Sequence, residues 1–196
     1  LPPLPDIAIE PLPETWGQVV SSPEILSGEL MEKHDEVDAF GQGRQLIKEK
    51  RYEAAIDCFK TCIASNPGDG ASFYQLARIY ANLGQMDVAA SFCQQAIDID
   101  PLNPEAHYIL ALIYQETGDM SSAVAQLKQA VFIDNRFTLA HFTLALFCRQ
   151  EGQMEKARRH RQRAMQLALD LDPDAVLFGS DDLTARTLLT MLKTMP

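Results

Sequence analysis

From Phe40 onward, apolar residues recur three and four positions apart, in runs separated by short polar breaks. Phe73, Leu76, Ala77 and Tyr80 make one such set, and Ala89, Cys93 and Ala96 another. That spacing gathers apolar side chains on one stripe of a helix, so the runs predict amphipathic helices. The breaks are periodic as well. Gly84, Gly118 and Gly152 stand 34 residues apart, as do Met86, Met120 and Met154, the series Ala55, Ala89, Ala123 and Ala157, and the series Ala96, Ala130 and Ala164. Pro67 and Pro101 keep the same interval. A repeat of this length is one helix–turn–helix unit, and four units fit at 36–69, 70–103, 104–137 and 138–171.

Each unit carries its own punctuation. The central glycine ends the first helix in a left-handed cap. Asn66-Pro67 and Asp100-Pro101 stop the second, because a residue before proline leaves the α region. Asn103-Pro104 then opens the next helix with a capping side chain and a proline in the first turn. Small residues (Gly43, Ala77, Ala111 and Ala145 in the first helices, Ala55 and its successors in the second) let helices approach closely. Departures mark weak points. Lys50 stands where glycine is expected, Asn135 replaces the third proline, and the fourth is delayed to Pro173, which predicts a longer last helix. Arg161 occupies a position that is apolar elsewhere, as expected where no fifth unit covers it.

The period and these small-residue positions resemble the tetratricopeptide repeat. The resemblance implies an all-α, right-handed superhelical solenoid of about four helix–turn–helix units, spanning 36–171. Residues 180–195 predict a terminal helix that caps the stack: Ser180 is a good N-cap, Asp181 and Asp182 suit the N-terminus and Lys193 the C-terminus. Its Leu183, Leu188, Leu189 and Leu192 need a surface, and the open end of the fourth unit supplies one. Partner docking through that face is the alternative. Residues 1–35 read as a proline-rich acidic linker with a short helix at 23–33, since six of the eleven prolines lie in the first 23 residues.

Composition narrows the chemistry. With 17 Lys and Arg against 27 Asp and Glu, the net charge is −10, which argues against a nucleic-acid binder. No apolar run is long enough for membrane insertion. The four cysteines have no CxxC spacing and read as small core residues of a reducing, cytoplasmic environment. No protease, P-loop, hydrolase or kinase signature occurs, and Gly41-Gln-Gly43 lacks the rest of a dinucleotide fingerprint. The chain therefore reads as non-catalytic and without a cofactor. The opening LPPLP, which follows no methionine, reads as a piece of a longer protein.

In a tetratricopeptide stack the first helices line a concave groove. The resemblance places Phe40, Tyr74, Tyr108 and Phe142 there as an aromatic ladder, followed by Arg44 and Arg78 and then Arg149. Aromatic and arginine side chains make good binding hot spots. Aromatics at this position also fill space between neighbouring helices as part of the ordinary repeat. The expected ligand is a protein or peptide. The lysine and asparagine clamp that holds chaperone tails is absent, its positions carrying Phe40, Arg44, Gln75, Glu105 and Ile109. Arg149, Lys156, Arg158, Arg159, Arg161 and Arg163 make the fourth unit basic, and salt-sensitive self-association with the acidic N-terminal segment is a further expectation.

From about Tyr74 on, the segments DPLNPEAHYILALIYQETGD, DNRFTLAHFTLALFCRQEGQMEKARRH and DDLTARTLL resemble the C-terminal tetratricopeptide extension of CheR-type chemoreceptor methyltransferases. The order of proline-rich stretch, repeats and terminal helix matches as well. The resemblance implies a regulatory or recruitment tail for an S-adenosylmethionine-dependent enzyme, with chemoreceptors or signalling proteins as partners. A free-standing adaptor or assembly scaffold is the other reading.

Overall fold

The computed structural model describes residues 39–180 and 182–195, so the expected linker and its helix at 23–33 lie outside the described residues. Nine α-helices and no strand occur among the described residues. Eight of them form four antiparallel hairpins: α1 (Ala39–Lys48) with α2 (Tyr52–Ser65), α3 (Gly70–Asn82) with α4 (Met86–Ile99), α5 (Pro104–Glu116) with α6 (Met120–Ile133), and α7 (Thr138–Gln150) with α8 (Met154–Leu169). The ninth, α9 (Ala185–Thr194), packs on α8.

The hairpin turns share one hydrogen-bond scheme. Gly84 N–H donates to Ala81 O at 3.0 Å and Gln85 N–H to Tyr80 O at 2.9 Å, and the same pair of bonds recurs at Gly118 and Gly152. Those glycines have φ of 77°, 84° and 73°. This double bond satisfies the carbonyls left open at a helix C-terminus, and it requires a left-handed residue. Lys50 makes the same bonds at φ 58°, so the first unit keeps the turn without the glycine. Asn103 accepts from Ala106 N–H at 3.0 Å, and Asp69 and Asp119 cap α3 and α6 in the same way through Ser72 and Ser122.

The core runs along the stack. Ala55, Ala89 and Ala123 are fully buried, as are Cys93, Ala96 and Ala130. Burial pushes the Cys93 thiol up to about 12, so it is a neutral packing group. Gly43 is packing-limited: a Cβ there would lie 2.7 Å from the fully buried Phe59 ring. The first and second helices of neighbouring units pack in succession, α2 on α3, α4 on α5 and α6 on α7, which is the nearest-neighbour arrangement of a solenoid.

The closing helix begins later than its sequence signals suggest. Its N-cap is Thr184, whose hydroxyl accepts from Thr187 N–H at 3.3 Å, while Ser180 donates to Leu177 O at 2.9 Å and so shapes the preceding loop. Leu188 and Leu192 are fully buried. Arg161 is half-buried, and α9 rather than a fifth unit lies against it: its Nε donates to Leu192 O at 2.8 Å, at the negative end of α9. The longer last helix is present, α8 having 16 residues where α2, α4 and α6 have 14.

Candidate functional site

The inner face of the stack is built by the first helices of the units, α1, α3, α5 and α7. Two hollows open along it. One, of about 360 Å³, lies between α3 and α5 and is bordered by Arg78, Ala81, Asn82, Leu112, Gln115 and Glu116 among others. The next, of about 580 Å³, lies between α5 and α7 with Leu112, Gln115, Thr143, Leu146, Arg149 and Gln150. Leu112 and Gln115 border both, so the two hollows adjoin along this groove.

The aromatic ladder lies mostly beneath this surface. Tyr74, Tyr108 and Phe142 are 3%, 7% and 9% exposed, because their rings fill the space between successive first helices. Phe40 is half-buried and meets Phe59 edge-on, with centroids 5.5 Å apart. Of the residues one turn further along each helix, Arg78, Leu112 and Leu146 border the hollows, and Arg44 on α1 borders neither. Arg44 is exposed, Arg78 and Arg149 are half-buried, and Leu112 and Leu146 supply apolar surface between them.

Arg78 is held rather than mobile. Its guanidinium lies 5.7 Å from the Tyr74 ring centre and donates to Gln75 Oε1 at 3.1 Å. Stacking of this kind orients a guanidinium over the ring face. Glu105, at the start of α5, faces the same region. Burial raises its carboxyl above the usual carboxylate range, and the charges of Arg78 and Arg44 pull it back down. Two guanidiniums therefore share the field of one partly buried carboxylate. Sequence reasoning placed Arg44 and Arg78 together and put Glu105 at one of the chaperone-clamp positions, but it did not bring Glu105 into their field, since the first turn of one unit meets the middle of another only through the stacking.

Three sites of interest lie elsewhere. The basic cluster of the fourth unit is divided, because Arg161 and Arg163 are bonded to backbone carbonyls of Leu192 and Asn135. His107 and His141 share a repeat position, and each places Nε2 3.2 Å from a carbonyl oxygen. Their Nδ1 atoms meet Gln126 at 2.7 Å and His160 at 3.0 Å, respectively. Among the described residues no group of three or more His, Cys, Asp or Glu could hold a metal, and no helix is long and apolar enough to cross a membrane.

A stack of helical hairpins with a groove of mixed polarity along its first helices is the architecture of a helical-repeat scaffold. The sequence pattern defining the tetratricopeptide repeat matches residues 46–113 and 83–141. The solenoid is a tetratricopeptide repeat domain. Sperm-associated antigen 1 of Mus musculus is 37% identical over 65 residues, which are 33% of this chain, and the chain spans 7% of that relative's length. A thermophilic TPR protein of Thermus thermophilus superposes with a TM-score of 0.63 at 23% identity, over 80% of each chain. MamA from Desulfovibrio magneticus RS-1 gives 0.60 at 20% identity, over 72% of this chain and 80% of its own. These likenesses establish the fold.

Proposed function

We propose that this chain is a docking module without chemistry of its own, which holds an extended stretch of another polypeptide along the inner face of its repeats. The observation that carries this reading is the pair of adjoining hollows that share Leu112 and Gln115, where aliphatic side chains lie beside Asn82, Gln115 and Gln150. An extended peptide needs both partners for its backbone and apolar surface for alternate side chains. The groove also differs in charge from the rest of the molecule. Of the charged residues that border the two hollows, Arg78 and Arg149 outnumber Glu116 in a chain of net charge −10, which favours a ligand bearing carboxylates.

The test is selection from a random peptide library on the immobilised chain, followed by titration of the selected peptides. Arg78→Ala combined with Gln115→Asp, an exposed residue that borders both hollows, should weaken them at least tenfold while circular dichroism and melting stay close to the parent. Tyr74 is unsuitable for this purpose because it is buried. Peptides that bind the double variant as well as the parent would refute the groove.

Within this role, the reading as the recruitment or regulatory tail of a CheR-type chemoreceptor methyltransferase rests on the three quoted segments and on the order of proline-rich stretch, repeats and helix. Glutamate methylation would then belong to a separate domain, and the setting would be a receptor array or related signalling pathway in the cytoplasm. A free-standing adaptor is the alternative. The coding sequence upstream of Leu1 decides between them: a strand–helix domain with a glycine-rich S-adenosylmethionine loop supports the tail, and a nearby start codon supports the adaptor.

A further inference from the structure

The connection from α8 to α9 follows a path fixed by backbone bonds. Val176 and Thr184 form an antiparallel bridge, Leu177 N–H donates to Leu183 O at 2.8 Å, and Ala185 N–H donates to Ala175 O at 3.0 Å. The tip of the loop is closed by Ser180, whose N–H and hydroxyl both donate to Leu177 O, at 3.0 and 2.9 Å. This tip reaches the inner face of the stack. Gly179 borders the same hollow as Arg78 and Leu112. Phe178 meets Phe137 edge-on with centroids 5.3 Å apart, and Phe137 in turn lies 5.0 Å from Tyr108.

Two physical limits act at Gly179. Its φ of 88° lies in the left-handed region, where side chains are disfavoured. A Cβ would also fall 2.8 Å from the Phe137 ring and 3.6 Å from Tyr108. The shelf formed by Tyr108 and Phe137 thus accepts bare backbone next to an aromatic ring. Leu177 anchors the tip at 2% exposure, yet Phe178 keeps 56% of its surface in solvent. The aromatic contact is real but only partly buried, which suits an occupant that can be exchanged.

We infer that Leu177–Ser180 is an intramolecular ligand of the groove: it occupies the Tyr108–Phe137 shelf, and a partner peptide carrying an aromatic residue followed by glycine takes its place. This rests on the reading of the inner face as a peptide site. A tethered occupant has an effective concentration in the millimolar range, so a competitor must gain contacts along the rest of the groove to displace it. The loop thereby sets both the chemistry of the ligand and a threshold for its binding.

The experiment uses the full chain with Phe178→Ser and, separately, Gly179→Val, and a fluorescein-labelled peptide of the sequence Asp174–Ser180 titrated to millimolar concentration. Phe178→Ser replaces a largely exposed ring, and circular dichroism checks that the repeats remain folded. Both variants should bind the peptide at least tenfold more tightly than the parent, and amide exchange at Leu177 and Ala185 should accelerate. Equal binding by parent and variants overturns the inference. So does fast exchange without peptide binding, or continued protection of both amides. A library-selected peptide that is weakened by Arg78→Ala but indifferent to Phe178→Ser leaves the groove standing and removes only the intramolecular ligand.

Discussion

Lys50 offers a direct measurement of what a single backbone angle costs in this fold. It stands at the position held by Gly84, Gly118 and Gly152, and it makes the same two hydrogen bonds: Lys50 N–H to Ile47 O and Arg51 N–H to Leu46 O, both at 2.9 Å. Its φ of 58° is left-handed. Nothing lies within 4 Å of a Cβ built on any of the three glycines, so side-chain crowding does not enter and the exchange is a matter of backbone alone. The left-handed conformation costs a residue with a Cβ roughly 1–2 kcal/mol. Glycine escapes that cost but loses about 0.5–1 kcal/mol more conformational entropy on folding. The difference favours Lys50→Gly by about 0.5–1 kcal/mol. For a chain of this size that raises the melting temperature by roughly 1–4 °C. Thermal melting followed by circular dichroism measures it, and amide exchange in α1 and α2 should show the gain concentrated in the first unit. The reciprocal change, Gly118→Lys, should cost a similar amount in the third. A Lys50→Gly chain that melts at or below the parent temperature would refute the strain argument.

Two further outcomes follow from the packing. His141 and His160 are both held below the ordinary histidine value of 6.5, chiefly by burial; for His141 the Asn135 carbonyl and Asp134 oppose the shift while His160 and Arg163 add to it, and Lys128 lowers His160. Their neutral forms are favoured by folding, so the unfolded chain binds more protons just below that value. Stability is complete above about pH 6.5 and is lost as pH falls through it; His160→Gln, which copies the His107–Gln126 pair one unit earlier, should make the loss between about pH 7.5 and 5 shallower in urea titrations, and an unchanged slope would exclude the pair as its source. In the closing helix, Leu188→Ala empties a fully buried position and should destabilise the chain by about 2–5 kcal/mol, read as a lower melting temperature and faster exchange in α9; a change within about 0.5 kcal/mol would mean that α9 is not integral to the stack.

The sequence alone determined the repeat. Glycines, prolines and alanines at a fixed interval act locally, through allowed backbone angles and close helix approach, so four hairpins and their turns could be read from Gly43 to Ala164 without coordinates. It also marked Lys50 as a left-handed position lacking its glycine. What it left open was the direction in which each side chain faces once the hairpins stack. Tyr74, Tyr108 and Phe142 share a repeat position that serves both packing and binding, and only stacking shows that their rings are buried while Arg44, Leu112 and Leu146 meet solvent. Glu105 reaches the field of Arg44 and Arg78 across unit boundaries. Phe178 and Gly179 lie outside the period altogether, and nothing local announces that they fold back onto Phe137. Contacts between residues distant along the chain depend on how rigid units pack, which is a property of the assembled solenoid.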